Sequence, residues 1–447
     1  MALRSNGWGT ELRLLPKDWK AQRLGEVCDV KGRIGWRGYT VDDLRESGPL
    51  VLGATQITSD NRLDLSKPTF LSREKFEESP EIKIDQWDIL VVKVGNTIGK
   101  VAIVTDDLGE ACINPNTVLL KRISVEPRFL FYHLTDRYSQ HFLRAHSAAS
   151  AQPAINQTVL KTMLVPVPPL EQQRAIAAML GALDDKIELN RRMNATLEAM
   201  ARALFQSWFV DFDPVRAKLD GGQLIGLDPA TAALFPNEFE DSELGPIPRG
   251  WRVRKLDEIL AFSRETVDAA KQPNESFEHY SLPAFDEGRT PKLQRGEAIK
   301  SQKLFVPRDA VLLSKLNPHI PRIWLPDIGN VARAVCSTEF LVARPKVDFS
   351  REFLFCLFTS SQFASEYVAL VTGTTGSHQR VKSESVLQVK LALPETELIE
   401  RFSTIAHPMF RRINDNTREA LSLAATRDAL LPKLLNGDLR IPKLNTL

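Results

Sequence analysis

The feature that most limits what this chain can fold into is that it repeats itself. Leu15-Pro16-Lys17-Asp18-Trp19, with Leu24 and Glu26 following, returns as Ile247-Pro248-Arg249-Gly250-Trp251, with Leu256 and Glu258 following, 232 positions later. Phe129-Leu130-Phe131 returns as Phe353-Leu354-Phe355 and Cys112 as Cys336, both 224 positions later. Pro168 and Glu171 return as Pro394 and Glu397 after 226 positions. An ordered series with a slowly drifting offset is what a duplicated unit with small loop changes leaves behind. The 447 residues are therefore two copies of one plan, not one large core.

Each copy has a globular part and a helical part. The globular parts, 1–166 (with a short N-terminal extension) and 246–394, read as mixed α/β. Ile89-Leu90-Val91-Val92 and Val311-Leu312-Leu313 are strand-like runs ending in turn residues, and Phe129 to Leu134 and Phe353 to Phe358 suggest short buried helices. After Pro166-Val167-Pro168-Pro169 the pattern changes to a spacing of four and three. Ile176, Leu183, Asn190, Leu197 and Leu204 fall at a, and Leu180, Ile187, Asn194, Ala201 and Trp208 at d, of a coiled-coil seam. Shifting by 226 gives Phe402, Met409, Asn416, Leu423 and Leu430 at a, with Ala406, Ile413, Ala420, Arg427 and Leu434 at d.

The expected organisation is thus a globular domain, a long helix over 167–212, a connector over 213–245 that belongs to no core, a second globular domain, a long helix over 395–436 and a tail over 437–447. The fold class is α+β (mixed): two pseudo-repeated α/β domains separated by two long helices that form an antiparallel coiled coil. In that arrangement Asn190 and Asn416, at the same step of the two seams, meet near the helix midpoints and set the register; two solvated Asn on a splayed seam is the alternative. A helix of some 40 residues rises about 60 Å at ~1.5 Å per residue. Such a pair is a spacer, suited to a partner that also repeats.

Composition narrows the class. Lys and Arg number 58 against 56 Asp and Glu, a net charge of +2, so any nucleic-acid surface must gather its basic groups on one face. No run of apolar residues is long enough to span a membrane and no signal-peptide core opens the chain, which implies a cytoplasmic protein. Cys28, Cys112, Cys336 and Cys356 have neither CxxC spacing nor a nearby His pair, so reduced thiols are expected, not a zinc site.

No strong catalytic signature emerges. Asn317-Pro318-His319-Ile320 and Asn114-Pro115-Asn116-Thr117 lack the second Pro and the aromatic of an adenine methyltransferase loop. Glu81-Ile82-Lys83 with Asp64 imitates a nuclease site only in spacing. Gly95 to Lys100 is one residue short of a phosphate loop and is followed by Val. His133, His141 and His146 are not spaced to put metal ligands on one helical face. No catalytic residue, metal or cofactor is therefore assigned to this chain. An enzyme that modifies or cleaves DNA through an unrecognised site, and a stand-alone duplicated regulator, remain as alternatives.

The paired Pro-x-x-Trp domain starts, Pro168-Pro169-Leu170-Glu171-Gln172-Gln173-Arg174 entering the first long helix, Trp208-Phe209-Val210-Asp211-Phe212-Asp213-Pro214-Val215, Val94 to Val101, and Leu434-Leu435-Asn436-Gly437 resemble the specificity subunit of a Type I restriction-modification system. The resemblance runs from about 12 to 440. It departs in the second copy, where Leu316-Asn317-Pro318-His319-Ile320-Pro321 stands for Gly95 to Lys100. It implies that each globular part is a target recognition domain reading one half of an interrupted, asymmetric site in double-stranded DNA. It further implies that the helices set the gap and bind two methyltransferase subunits, which hold S-adenosylmethionine, and that a restriction and translocase subunit can join. Such a subunit has no catalytic centre of its own and serves phage defence.

Within that resemblance, the candidate DNA contacts are two groups. One is loop residues Ser147, Ser150 and Gln152, matched by Ser377, His378, Gln379 and Arg380; small residues allow close backbone approach, Gln suits adenine and Arg suits guanine. The other is the strand-to-turn set Lys93, Asn96, Thr97 and Lys100, matched by Lys315, Asn317 and Arg322. Trp208, Phe209 and Phe212, closing the first helix, are expected as a docking surface for a partner, with packing inside the chain as their alternative use.

Overall fold

A computed structural model describes residues 15–33, 38–147, 153–222, 226–329, 332–372 and 379–441. The chain divides into two compact units: unit 1 is Met1–Glu188 with Ala420–Leu447, and unit 2 is Leu189–Glu419. Each unit therefore holds one globular copy, the opening half of the long helix that follows it, and the closing half of the other long helix.

In unit 1, a four-stranded antiparallel sheet has the order Asp29–Lys31, Thr117–Lys121, Ile89–Val92, Val101–Ile103. Alternate side chains of a strand point to opposite faces, and here both faces are covered. Ile89, Val91, Val118 and Leu120 enter one core, whereas Leu90, Val92, Ala102 and Leu119 enter another. That is why Ile89–Val92 is apolar throughout. The helix Pro127–Thr135 starts on a proline, and its run from Phe129 to Leu134, apolar but for His133, is buried.

His133 on that helix is buried, and its Nε2–H donates to the Leu164 carbonyl at 3.0 Å. Desolvation pushes its pKa from 6.5 down to about 4. Between those values the unfolded chain binds the proton and the folded chain does not. The stability this group contributes is complete above about pH 6.5 and is lost as pH falls toward 4, by up to about 3 kcal/mol. We expect H133Q, which keeps a donor but cannot titrate, to flatten the acid limb of the unit 1 unfolding transition. Parallel limbs for the variant and the parent would refute this.

Unit 2 repeats the plan. Leu260–Ser263, Phe340–Pro345, Val311–Ser314 and Ile323–Trp324 form the equivalent antiparallel sheet. Each unit also has one parallel pair, Val51↔Cys112 in unit 1 and Tyr280↔Cys336 in unit 2, so the two cysteines 224 apart occupy one structural place. The helix Arg351–Thr359, buried from Glu352 to Phe358, stands for Pro127–Thr135. All four thiols are free and buried, and burial pushes Cys28 up to about 12.

Two expectations are corrected in unit 2. The segment 213–245 is not an idle connector: it forms helices Asp213–Leu219 and Pro229–Ala233 and a hairpin of Phe239–Ser242 with Gly245–Pro248. Val215, Phe235 and Ile247 are buried in the unit 2 core, and Arg401 of the second long helix pairs with Asp228 at 3.1 Å. Nor do Trp208, Phe209 and Phe212 form an exposed docking face. Trp208 and Phe209 are 1% and 4% exposed, and Phe212 packs edge-on against Trp251 at 5.4 Å. Large rings beside a domain start are worth more removed from water than left in it.

The long helices run Leu170–Phe209 and Thr396–Leu435 and pack antiparallel. In unit 1, Arg427 reaches Asp184 at 2.7 Å, and the Tyr132 hydroxyl donates to the same carboxylate at 2.6 Å. The polar d position of the seam is thereby paired. In unit 2, Asn190 and Asn416 are buried and do meet, but not amide to amide. The Asn190 Nδ2 donates to the Asn416 backbone carbonyl at 3.4 Å and to Glu419 at 2.8 Å. Asn416 donates to Asn194 Oδ1 at 2.9 Å, and Asn194 to Thr417 at 3.1 Å. A polar step built from several residues, not a simple Asn pair, marks the register.

Candidate nucleic-acid interface

The two groups of polar residues singled out in the sequence come together in each unit through the same backbone junction. In unit 1 the core strand Ile89–Val92 continues into Lys93 and Val94, and Val94 bridges to Ala154. The Ile155 amide donates to the Lys93 carbonyl at 2.9 Å, and the Gly95 amide to the Pro153 carbonyl at 2.8 Å. In unit 2, Leu316 bridges to Arg380. The Val381 amide donates to the Lys315 carbonyl at 3.2 Å, and the Asn317 amide to the Gln379 carbonyl at 3.0 Å. The far end of each distal loop is thus tied to the end of the strand-to-turn segment.

The unit 1 turn is rigidly framed. Gly95 and Gly99 have φ of +87° and +89°, and a Cβ on Gly99 would meet Gln140 Oε1 at 2.7 Å. Gln140, on helix Arg137–Ala145, donates to the Gly99 and Leu134 carbonyls at 2.8 Å each. Lys100 Nζ donates to the Ile57 carbonyl at 2.6 Å, and the Val101 amide to Asn61 Oδ1 at 3.1 Å. Asn96 and Thr97 are left exposed at the tip. Lys93 is half-buried with no carboxylate in reach among the described residues, and desolvation holds its ammonium below the ordinary range.

In unit 2 the Tyr367 hydroxyl, from helix Ser361–Ala369, donates to the Ser314 carbonyl at 2.9 Å. Asn317 adopts φ +50°, and the Ile320 amide closes the turn onto its carbonyl at 2.9 Å. Arg380 makes a bidentate pair with Glu339, Nε at 3.1 Å and Nη2 at 3.0 Å, which raises the guanidinium pKa further.

A family profile described as "Type I restriction modification DNA specificity domain" matches residues 16–199. The chain is 24% identical to the Type I restriction enzyme MjaIX specificity subunit of Methanocaldococcus jannaschii, over 97% of this chain and 96% of that one. It is 24% identical to the Type I restriction enzyme HindI specificity subunit of Haemophilus influenzae, over 94% of this chain and all of that one. The chain thus matches that family's profile over its first copy and resembles Type I restriction enzyme specificity subunits along nearly its whole length. Its fold is also that of the S subunit from M. genitalium, with a TM-score of 0.53 at 15% identity over 97% of this chain and 98% of that one.

The profile match ends inside the first long helix, whereas the likeness to these two relatives runs through the second copy as well. Not every expected contact is available there. Arg322 is a correction: its side chain is only 12% exposed, and its Nε and Nη2 edge is taken by Asp286 at 2.7 and 2.9 Å. A largely covered guanidinium in a bidentate pair is engaged in holding the fold. Lys100 likewise frames its turn. Ser147 Oγ closes the helix before the loop on the Arg144 carbonyl at 2.7 Å. Ser150, Gln152, Ser377 and His378 lie outside the described residues.

Two residues that sequence reasoning missed belong to the junction. The Lys93 amide donates to the Asn116 carbonyl at 2.9 Å, and the Lys315 amide to the Glu339 carbonyl at 2.8 Å. The signal was present in outline, since the offset that pairs Cys112 with Cys336 carries Asn116 to within one position of Glu339. Among the described residues no group of three or more His, Cys, Asp or Glu could hold a metal ion, and no helix is long and apolar enough to cross a membrane.

Proposed function

We propose that this chain is a Type I specificity subunit that reads a bipartite, asymmetric site in double-stranded DNA, one half through each globular copy. In this reading it docks two methyltransferase subunits and, in the cleaving form, a restriction and translocase subunit. It performs no catalysis itself; S-adenosylmethionine belongs to the partner subunits. The observation that carries the reading is one junction built twice with different side chains. Lys93 with Asn96 and Thr97 stands in unit 1, and Lys315 with Asn317 and Arg380 in unit 2. A shared frame with divergent tips is what reading two different half-sites requires, because phosphate contacts position a domain while base-edge contacts specify. The long helices, each about 60 Å by their rise of ~1.5 Å per residue, suit the spacer role.

The test is to incubate the purified chain with duplex DNA, S-adenosylmethionine and Mg²⁺, with and without methyltransferase subunits. Adenine methylation is expected only in the assembled sample. Methylation or cutting by the isolated chain would establish an active site of its own and overturn the reading.

A further inference from the structure

The two junctions differ at the bridging place, Ala154 against Arg380, and at the accepting place, Asn116 against Glu339. We propose that Arg380, held by Glu339, reads a guanine in the half-site assigned to unit 2. This rests on the DNA-reading function above and gives it one base.

A guanidinium has two bidentate edges. In Arg380 the Nε and Nη2 edge is taken by the Glu339 carboxylate, at 3.1 and 3.0 Å. The Nη1 and Nη2 edge has no partner among the described residues, and its spacing matches the O6 and N7 acceptors of guanine in the major groove. Glu339 fixes the plane of the fork before any DNA arrives, which lowers the ordering cost of contact. The pair stays reachable, with the side chains 47% and 28% exposed. An ion pair this exposed contributes little to folding, so stability does not account for its alignment.

Position supports the same role. Arg380 bridges to Leu316, and Glu339 accepts the Lys315 amide through its backbone, so both lie at the end of the core strand that presents the turn. In unit 1 the bridging place is filled by Ala154 and the accepting place by Asn116. Neither carries a guanidinium, so this Arg-to-guanine contact belongs to unit 2.

The experiment uses the full chain assembled with its methyltransferase subunits, on a duplex carrying the site found by mapping methylated adenines. Each guanine is replaced in turn by 7-deazaguanine, which lacks N7. We expect one guanine, in the unit 2 half, whose replacement weakens binding of the parent protein by about 10-fold or more. R380A should bind the parent duplex that much more weakly and be indifferent to 7-deazaguanine at that place. R380K should restore discrimination only in part, because an ammonium can reach both acceptors but lacks the planar fork that Glu339 orients, and E339Q should weaken discrimination at the same base only.

Three results would overturn the inference. One is a 7-deazaguanine scan of the parent protein with no sensitive position in that half. Another is a uniform loss with R380A on all duplexes with a shallower salt dependence, which marks a phosphate contact. The third is a sensitivity that survives in both R380A and R380K. The parent scan decides even if R380A fails to fold. A mapped bipartite site with no sensitive guanine sinks this inference alone, whereas absence of any chain-dependent methylation sinks the function on which it rests.

Discussion

Trp208→Ala is expected to lower the stability of unit 2 by about 3–5 kcal/mol, the usual cost of emptying a buried aromatic site. Trp208 is 1% exposed and meets Phe235 at 5.4 Å and Phe402 at 6.3 Å, edge to face in both cases. Phe205, Phe209 and Phe353 continue the cluster at 5.0 to 5.3 Å. These rings join the end of the first long helix and the start of the second to the body of unit 2. The indole Nε1 is buried without a hydrogen-bond partner among the described residues, so the side chain is held by packing. Trp208→Phe should therefore cost far less than the alanine variant, since it removes an unsatisfied donor along with some volume. Denaturant unfolding monitored on the unit 2 transition measures both. Were Trp208 instead a docking residue, the alanine variant would unfold like the parent and fail only in binding methyltransferase subunits.

Replacing Asn96 and Thr97 with alanine should change the bases accepted in one half of the target and leave the other half untouched. Each well-made bidentate base contact is worth about 1–3 kcal/mol of discrimination, or about 5- to 150-fold in preference. The frame that holds the two side chains does not include them. Gly95 and Gly99 supply the positive φ, Gln140 braces Gly99, and Lys100 and Asn61 anchor the far side. The tip can therefore be altered without moving the turn. Mapping methylated adenines after exchange of these residues gives the answer directly, and altered preference in both halves would end the assignment of one half-site to each unit. Gly99→Ala is the contrasting case. Its Cβ collides with Gln140 and its backbone is strained, so it should loosen the turn and weaken binding to every base at that position.

Much of this is legible in the order of the amino acids. The drifting offset announces two copies, because duplicated cores keep their apolar spacing while loops change length. The four-and-three pattern announces the seam, because helical geometry forces every contact onto one stripe. Lys93 and Lys315, with their turns, are legible because strand ends that break into Gly, Asn and Pro must become turns. The pairing states of individual polar groups are not. Nothing along the chain distinguishes Arg322, paired with Asp286 from 36 positions away and only 12% exposed, from Arg380, paired with Glu339 through the same edge but 47% exposed. The same holds for Trp208 and its neighbours, which look alike in sequence whether they face a partner or their own core.

What the sequence determined by itself was therefore periodic: two copies, two helices and one seam with an Asn at its centre. The tertiary structure decided ownership. Helix Leu170–Phe209 looks like one element of the first copy, yet it serves unit 1 up to Glu188 and unit 2 from Leu189, and Thr396–Leu435 is divided likewise between Glu419 and Ala420. The physical reason is that an antiparallel helix pair places the end of each helix beside the beginning of the other. Each unit then joins side chains that stand far apart in the chain, Phe205 with Phe402 in one and Asp184 with Arg427 in the other, which local pattern cannot reveal.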